Sequence, residues 1–156
     1  MSIITNRFKH SGKVLNNNDF IQIESKYNFK FPKEVKELYM EFNGGEPEKY
    51  IYIDEDGDDY VVQKILSIKY SEKFTNTLEG YIESFRRDNI IPNWLIPFGY
   101  DPGGNIYCFS LQNDEFGTIY FWDHEYDENE DIDDHLIYLC DSILEFVNSL
   151  VIYKND

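Results

Sequence analysis

Apolar side chains recur three and four positions apart in four stretches of the chain, and this spacing predicts four amphipathic helices. The first helix begins near residue 18, and the second begins at Pro32, because proline suits the first turn of a helix. We expect the second helix to stop in a left-handed conformation at Asn43-Gly44-Gly45. The stripes of these two helices comprise Phe20, Ile23 and Tyr27, then Val35, Leu38, Tyr39 and Phe42.

The third and fourth predicted helices carry end signals as well as an apolar stripe. Arg86 and Arg87 fall in the last turn of the third helix, where positive charge suits the helix dipole. Ser142 precedes Glu145 by three positions and predicts a capping box at the start of the fourth helix. The two stripes comprise Leu78, Tyr81, Ile82 and Phe85, then Ile143, Leu144, Val147, Leu150 and Val151.

Runs rich in β-branched and aromatic residues predict strands between the helices. An acidic turn at residues 54–59 separates the first two strands, and a loop that ends in Gly117 joins the next two into a hairpin. Residues 1–17 are polar and show no period. The predicted strands are Tyr50 to Ile53, Tyr60 to Ile68, Asn105 to Leu111, Thr118 to Trp122 and Leu136 to Leu139.

This order of elements indicates an α+β fold with a mostly antiparallel or mixed sheet backed by helices. The 156 residues fit a single domain, 1–156, whose core lies within about residues 18–152. We expect the helices to cover one face of the sheet and the other face to be partly wet and rich in tyrosine. The predicted core comprises Phe20, Leu38, Phe42, Ile106, Phe109, Phe121, Leu144 and Val147.

Charge is distributed very unevenly along the chain. Residues 88–153 contain no lysine or arginine but 14 acidic residues, so residues 88–156 carry a net charge of −14 and residues 1–87 only −2. Such a surface repels nucleic acid and anionic membranes, whereas it attracts basic proteins and speeds their capture. The alternative is that the acidity only keeps the protein soluble.

The sequence also indicates where the protein acts. No apolar run approaches the roughly 20 residues of a membrane helix, and the N-terminus lacks the apolar region of a secretory signal. Two cysteines, Cys108 and Cys140, do not make the disulfide framework of a secreted protein. We therefore expect a cytoplasmic protein whose cysteines are buried in strands.

No metal or cofactor motif is complete. The turn at residues 54–59 misses the EF-hand pattern, because counting from Asp54 places glycine fourth and Ile65 twelfth. His124 and His135 lack a cysteine pair that would complete a zinc site. Gly103-Gly104 lacks the glycine and lysine that a phosphate loop requires, and Cys108 lies in an apolar run that suits packing rather than nucleophilic attack. We expect no catalysis, no cofactor and no metal.

Four blocks of sequence, in order across roughly residues 18–151, resemble one family. They are Phe31-Pro32 with Asn43-Gly44-Gly45, then Ile96 to Phe109 with Gly103-Gly104, then Ile119 to Glu125, and finally the last helix with Ser142 and Phe146. Together they resemble the SUKH superfamily, which includes the Smi/Knr cell-wall regulator of fungi and many bacterial immunity proteins. Phe31 departs from the leucine that usually precedes this proline.

The resemblance implies an α+β domain without catalysis. Bacterial members are typically immunity proteins that bind and neutralise a toxin, often a nuclease, and fungal members act as regulatory scaffolds. The block from Ile96 to Phe109 is glycine-rich and apolar, so we expect it to fix the fold. The acidic stretch after His124 is an insertion in the family pattern, so the family does not place a contact site there.

Charge and resemblance together predict an immunity protein whose acidic surface binds a basic, nuclease-type toxin. The alternative function is an intracellular regulatory scaffold of the Smi/Knr type. Residues 123–134, with eight acids in twelve positions, could equally be a solvating loop. The candidate protein-binding residues are Asp54, Glu55, Asp56, Asp58, Asp59, Trp122, Asp123, Glu125, Tyr126, Asp127, Glu128, Glu130, Asp131, Asp133 and Asp134.

Overall fold

The computed structural model describes residues 3–125 and 131–152. Its helices and antiparallel strands confirm the α+β fold class. None of the described helices is long and apolar enough to cross a membrane. In chain order the elements are β1 (Phe8–Lys9), α1 (Asn17–Tyr27), α2 (Lys33–Glu41), β2 (Glu46–Pro47), β3 (Ile51–Ile53), β4 (Asp59–Val61), β5 (Lys64–Ile65), α3 (Leu78–Arg87), β6 (Leu95–Tyr100), β7 (Ile106–Ser110), β8 (Ile119–Trp122), β9 (Leu136–Cys140) and α4 (Ile143–Ser149).

Five strands form the central sheet in the order β5-β6-β7-β8-β9. Each strand pairs antiparallel with its neighbour in sequence, so the sheet is a meander with β5 and β9 at its edges. Two small antiparallel ladders join β1 to β2 and β3 to β4. The predicted strand from Tyr60 to Ile68 is therefore wrong in extent, because its two halves pair in different sheets.

Side-chain caps mark the starts of α1 and α4. At α1, Asn16 accepts a hydrogen bond from the Asp19 backbone N–H, and the Asp19 carboxylate accepts one from Asn16 N–H. At α4, Ser142 Oγ accepts from the Glu145 N–H, which is the first of the two bonds of the predicted capping box. These short side-chain contacts satisfy backbone donors that the helix itself leaves without a partner.

The end of α2 differs from the prediction. The helix ends at Glu41, and its C-cap, Phe42, is extended with φ −131° rather than left-handed. Gly44 has φ +71°, and a Cβ there would lie 2.6 Å from the Ile65 carbonyl oxygen. The glycine therefore serves a close approach of two backbones rather than the helix stop.

The second strand of the sheet, β6, was missed by sequence analysis, because proline and glycine within Leu95–Tyr100 mask its pattern. The pairing with β7 shifts register between Pro97 and Gly99, which marks a bulge. Gly99 admits the neighbouring strand, since a Cβ there would lie 2.9 Å from the Lys64 carbonyl oxygen. This placement agrees with a fold-fixing role for the block from Ile96 to Phe109.

Most of the predicted core is buried. Phe20, Leu38, Ile106, Phe109, Phe121 and Val147 are all buried, whereas Phe42 and Leu144 are half-buried and pack against the main core from its edge. The main core lies on one face of the sheet and includes side chains of all four helices. Residues before α1 also contribute, contrary to their patternless sequence, since Ile4 and Leu15 are buried.

A second, smaller cluster lies on the opposite face of the sheet. Cys108 and Trp122 lie at its centre, and Tyr81 and Phe85 of α3 pack against it. Half-buried Tyr100 and Tyr120 border this cluster. The predicted tyrosine-rich second face is thus present, but α3 covers part of it.

Candidate protein-binding surface

The acidic turn at residues 54–59 joins β3 to β4 and is built around one carboxylate. Asp54 Oδ1 accepts from the backbone N–H groups of Asp56 (3.0 Å) and Asp58 (2.9 Å), and its Oδ2 accepts from Tyr60 Oη (3.0 Å). Gly57, with φ +84°, completes the turn in open space. The remaining acids of the turn, Glu55, Asp56, Asp58 and Asp59, are exposed.

Three carboxylates of this turn lie close together. Ligand oxygens of Asp54, Asp56 and Asp58 fall within 4.8 Å of one another, the spacing at which they could share a cation. The three hydrogen bonds that Asp54 accepts already account for this geometry. The turn is an Asx-type hairpin connection in its own right, and the EF-hand pattern remains unmatched.

Aromatic packing fixes the β3–β4 hairpin against the sheet. The Tyr60 ring lies 5.1 Å from that of Phe121, and the Tyr52 ring 5.3 Å from that of Phe146. Tyr52 Oη donates to the carbonyl oxygen of Leu139 at 2.7 Å, which ties the hairpin to β9. The acidic turn is thereby held beside the edge strand of the sheet.

A groove of about 340 Å³ lies between the turn and β9. Tyr52 and Cys140 contribute to its lining, together with exposed Ile137 and Tyr138. Its acidic lining residues are Asp54, Glu55, Asp56 and Glu145, and its described lining includes no lysine, arginine or histidine. The groove therefore combines apolar surface with an anionic rim.

The tyrosines around the groove are held in their protonated form. Burial, and then the hydrogen bond to Asp54, raises the pKa of Tyr60 to about 12. Burial also raises the pKa of Tyr52 to about 12. The hydrogen bond from Tyr138 Oη to Asp141 raises the pKa of Tyr138 as well. Three phenol groups thus act as hydrogen-bond donors beside the carboxylates.

The second acidic segment, residues 123–134, connects β8 to β9. Asp123 is half-buried and its N–H donates to the His135 carbonyl oxygen at 2.9 Å, while its carboxylate accepts from Glu125 N–H. Glu125, Asp131 and Asp134 are exposed, and Asp133 lies in the short turn Ile132–His135 that precedes β9. Four of the predicted residues, Tyr126, Asp127, Glu128 and Glu130, lie outside the described residues.

Trp122 differs from its predicted role as a surface anchor. Its side chain is only 4 % exposed and packs against Phe85, with ring centroids 6.1 Å apart. The exposed aromatic beside the acids is instead Tyr138, at 53 % exposure, accompanied by Ile137. The sequence predicted only a short strand here, and its uniformly apolar residues gave no sign of which side chains would be exposed.

The structure thus brings the turn at residues 54–59 and the described residues 131–134 of the second acidic segment to one edge of the sheet. The turn at residues 54–59 lies beside β9, and residues 123–134 lead directly into that strand. Sequence reasoning missed Asp141 and Glu145, which follow β9 and extend the same acidic surface. Both were visible as charges, but nothing in their spacing placed them next to residues 54–56.

Neither cysteine is poised for nucleophilic attack. Burial raises the pKa of the Cys108 thiol, whose residue is 0 % exposed, and raises that of Cys140 to about 12. His124 Nδ1 lies 2.7 Å from Asn105 Oδ1, while His135 is buried. Among the described residues these histidines belong to no group of clustered metal-ligating side chains.

Comparison with known proteins gives a family and a fold. The family model described as the SMI1 / KNR4 family (SUKH-1) matches residues 15–149. A crystal structure of a protein from Pseudomonas syringae pv. tomato superposes with a TM-score of 0.51 at 16 % identity, covering 79 % of this chain and 78 % of that one. That likeness shows a shared fold. No protein with a curated description matches the chain.

Proposed function

Because the chain belongs to the SMI1 / KNR4 family (SUKH-1), we propose that it is a non-catalytic immunity protein that binds and neutralises a basic bacterial toxin. The observation that carries the proposal is the acidic groove beside β9, which is lined by Asp54, Glu55, Asp56 and Glu145, with exposed Asp131 and Asp134 in the segment that leads into the strand. The buried thiols, whose pKa values are raised, are unsuited to nucleophilic catalysis.

A nuclease is the favoured class of toxin. Such an enzyme holds the phosphates of its substrate in a basic cleft. A protein that offers carboxylates to that cleft excludes the substrate without performing any chemistry of its own. The net charge of −14 over residues 88–156 would also accelerate the encounter through electrostatic steering.

Charge alone does not hold a complex together. Buried aromatic and apolar contacts usually supply most of the binding energy, while charge sets the rate and the register. Ile137 and Tyr138, at 39 % and 53 % exposure, are the large exposed side chains on the β9 side of the groove. They are the proposed contact residues that accompany the carboxylates.

The test is co-expression of this chain with the protein encoded by the gene immediately upstream, in cells that the upstream-encoded protein would otherwise kill. The expected result is survival with the wild-type chain and a stable complex after purification. Survival without a complex, or death with a well-expressed chain, would contradict the proposal. A complex with a harmless partner would instead favour the regulatory scaffold, which the same family includes.

A further inference from the structure

One side of β9 is open to a further strand. β9 is the last strand of the five-stranded sheet, and no other strand of the described chain pairs with its outer side. In an antiparallel pair, alternate residues direct their N–H and C=O groups towards the partner strand. The Asp123 N–H donates to the His135 carbonyl oxygen, so His135 is one of these residues, and Ile137, two positions further on and opposite Phe121, is the next. By the same alternation, Leu136 and Tyr138 direct their N–H and C=O groups outwards.

The remainder of β9 is already covered. The pairing with β8 shifts register between Ile119 and Tyr120, which leaves Leu139 as an extra residue of β9. The Leu139 carbonyl oxygen accepts from Tyr52 Oη at 2.7 Å. The open edge is therefore confined to residues 136–138. Natural proteins usually protect such an edge with lysine or proline, and β9 contains neither.

The charge beside this edge selects the partner strand. Ile137 pairs with Phe121, on the face of the sheet against which the β3–β4 hairpin packs, so the acidic groove lies on that face. Tyr138 borders the groove at the strand edge, but its ring turns to the opposite face, where it is 6.2 Å from that of Tyr120. A strand added here would present alternate side chains to an anionic groove and to an aromatic surface.

We propose that an extended segment of the toxin adds to the outer side of β9 as a sixth, antiparallel strand, with cationic side chains in the groove and apolar side chains against Tyr138. This docking mode rests on the proposed function and specifies its interface. Main-chain hydrogen bonds to Leu136 and Tyr138 would supply affinity, and the groove would supply the preference for arginine or lysine.

A synthetic peptide of four Val-Arg repeats provides a probe that does not require the toxin. In the antiparallel arrangement arginines lie opposite Ile137, and valines lie opposite Leu136 and Tyr138, so the valine N–H groups bond to the edge. The readout is the backbone amide spectrum of the ¹⁵N-labelled full chain. We expect the peptide to shift the amides of Leu136 and Tyr138 most strongly.

Two methylated peptides separate strand pairing from charge attraction. Methylation of the backbone nitrogens of the valines should weaken binding by roughly tenfold or more, because it removes the N–H groups that bond to the edge. Methylation of the backbone nitrogens of the arginines keeps the charge of the peptide and leaves the valine N–H groups in place, so binding should be retained. If the two methylated peptides bind equally well, or if a Val-Glu peptide binds as well as the Val-Arg peptide, the docking mode is overturned.

Variants of the chain give a second reading. Tyr138→Pro removes an outward N–H that β8 does not use, so the fold should persist while peptide binding is lost. Tyr138→Thr keeps that N–H and should retain main-chain pairing. Equal peptide binding by folded proline and threonine variants would overturn the proposal. If the chain neutralises its toxin yet ignores all peptides, this docking mode fails while the proposed function stands.

Discussion

At the residue scale, a few buried polar side chains carry the connections that the sequence did not reveal. Asn43 is 2 % exposed; its Nδ2 donates to the carbonyl oxygens of Lys13 and Ile68, and its Oδ1 accepts from Ile68 N–H. In the sequence this residue looked like part of a helix stop. It instead connects two loops through hydrogen bonds to residues 25 and 30 positions away, and no local sequence pattern encodes such distant contacts.

Replacing Asn43 with alanine should therefore be costly. We expect Asn43→Ala to lower the free energy of unfolding by about 3 kcal/mol, because two carbonyl groups and one N–H lose their buried partner. Urea denaturation measures the difference. The exposed Asn113→Ala variant is the matched control and should change stability by less than about 0.5 kcal/mol. Similar losses in the two variants would contradict this assignment.

Tyrosine ionisation should destabilise the fold at high pH. Tyr52 and Tyr60 have a pKa of about 12 when folded, against about 10 in an unfolded chain, so the folded state retains protons more strongly. Their contribution is fully present below pH 10 and is lost as the pH rises towards 12. The melting temperature, measured from pH 8 to 11.5, should fall above pH 10.

The Tyr52→Phe variant checks the origin of that pH dependence. It cannot ionise at position 52, and it also loses the hydrogen bond to Leu139. We expect lower stability at pH 8 but a shallower decline above pH 10 than in the wild type. If the melting temperature falls as steeply above pH 10 in this variant and in Tyr60→Phe as in the wild type, these two phenols do not contribute to the loss of stability at high pH.

At the element scale, periodicity predicted the four helices and the β7–β8 hairpin, because each has a regular apolar face. It missed β6, in which Pro97 and Gly99 hide a central strand. It also joined β4 to β5, since nothing in Tyr60 to Ile68 shows that the chain changes sheets there. The candidate surface was predicted as two charged segments, and only the fold shows that the turn at residues 54–59 lies beside β9.

Glycine placement offers a test at this scale. Gly44→Ala should destabilise the protein by about 3 kcal/mol or more. The new Cβ would clash with the Ile65 carbonyl oxygen, and alanine also disfavours the positive φ of this position. Gly57 has φ +84° but open space around its Cβ position, so Gly57→Ala should cost only about 1 kcal/mol. Thermal unfolding of the two variants compares them directly, and equal losses would refute the close-approach explanation.

At the scale of the whole molecule, a main core and a smaller cluster occupy opposite faces of one sheet. Tyr81 packs against both, which suggests that they unfold together. We therefore predict a single domain that unfolds in one transition. Tryptophan fluorescence and far-ultraviolet circular dichroism should give coincident urea curves. Two separated transitions would indicate independent units.

The unequal distribution of charge is the other property of the whole molecule, and it underlies the central claim. If the acidic surface captures a basic toxin, association should be fast at low salt and slow as ions screen the charges. If the acidity only maintains solubility, the association rate should depend weakly on salt. Binding kinetics with the purified upstream-encoded protein distinguish these alternatives.

The decisive measurement compares association rates of wild type and two neutralised variants across a salt series. The test variant carries Asp127→Asn, Glu128→Gln, Glu130→Gln and Asp131→Asn. The control removes the same charge elsewhere, through Glu48→Gln, Glu72→Gln, Asp88→Asn and Asp114→Asn.

We predict that the wild-type association rate falls roughly tenfold or more between about 0.05 and 0.5 M salt. The test variant should associate more slowly than the control at low salt, with a smaller change in dissociation. A salt-independent rate, or equal rates for the two variants, would contradict the claim that this acidic surface captures the toxin.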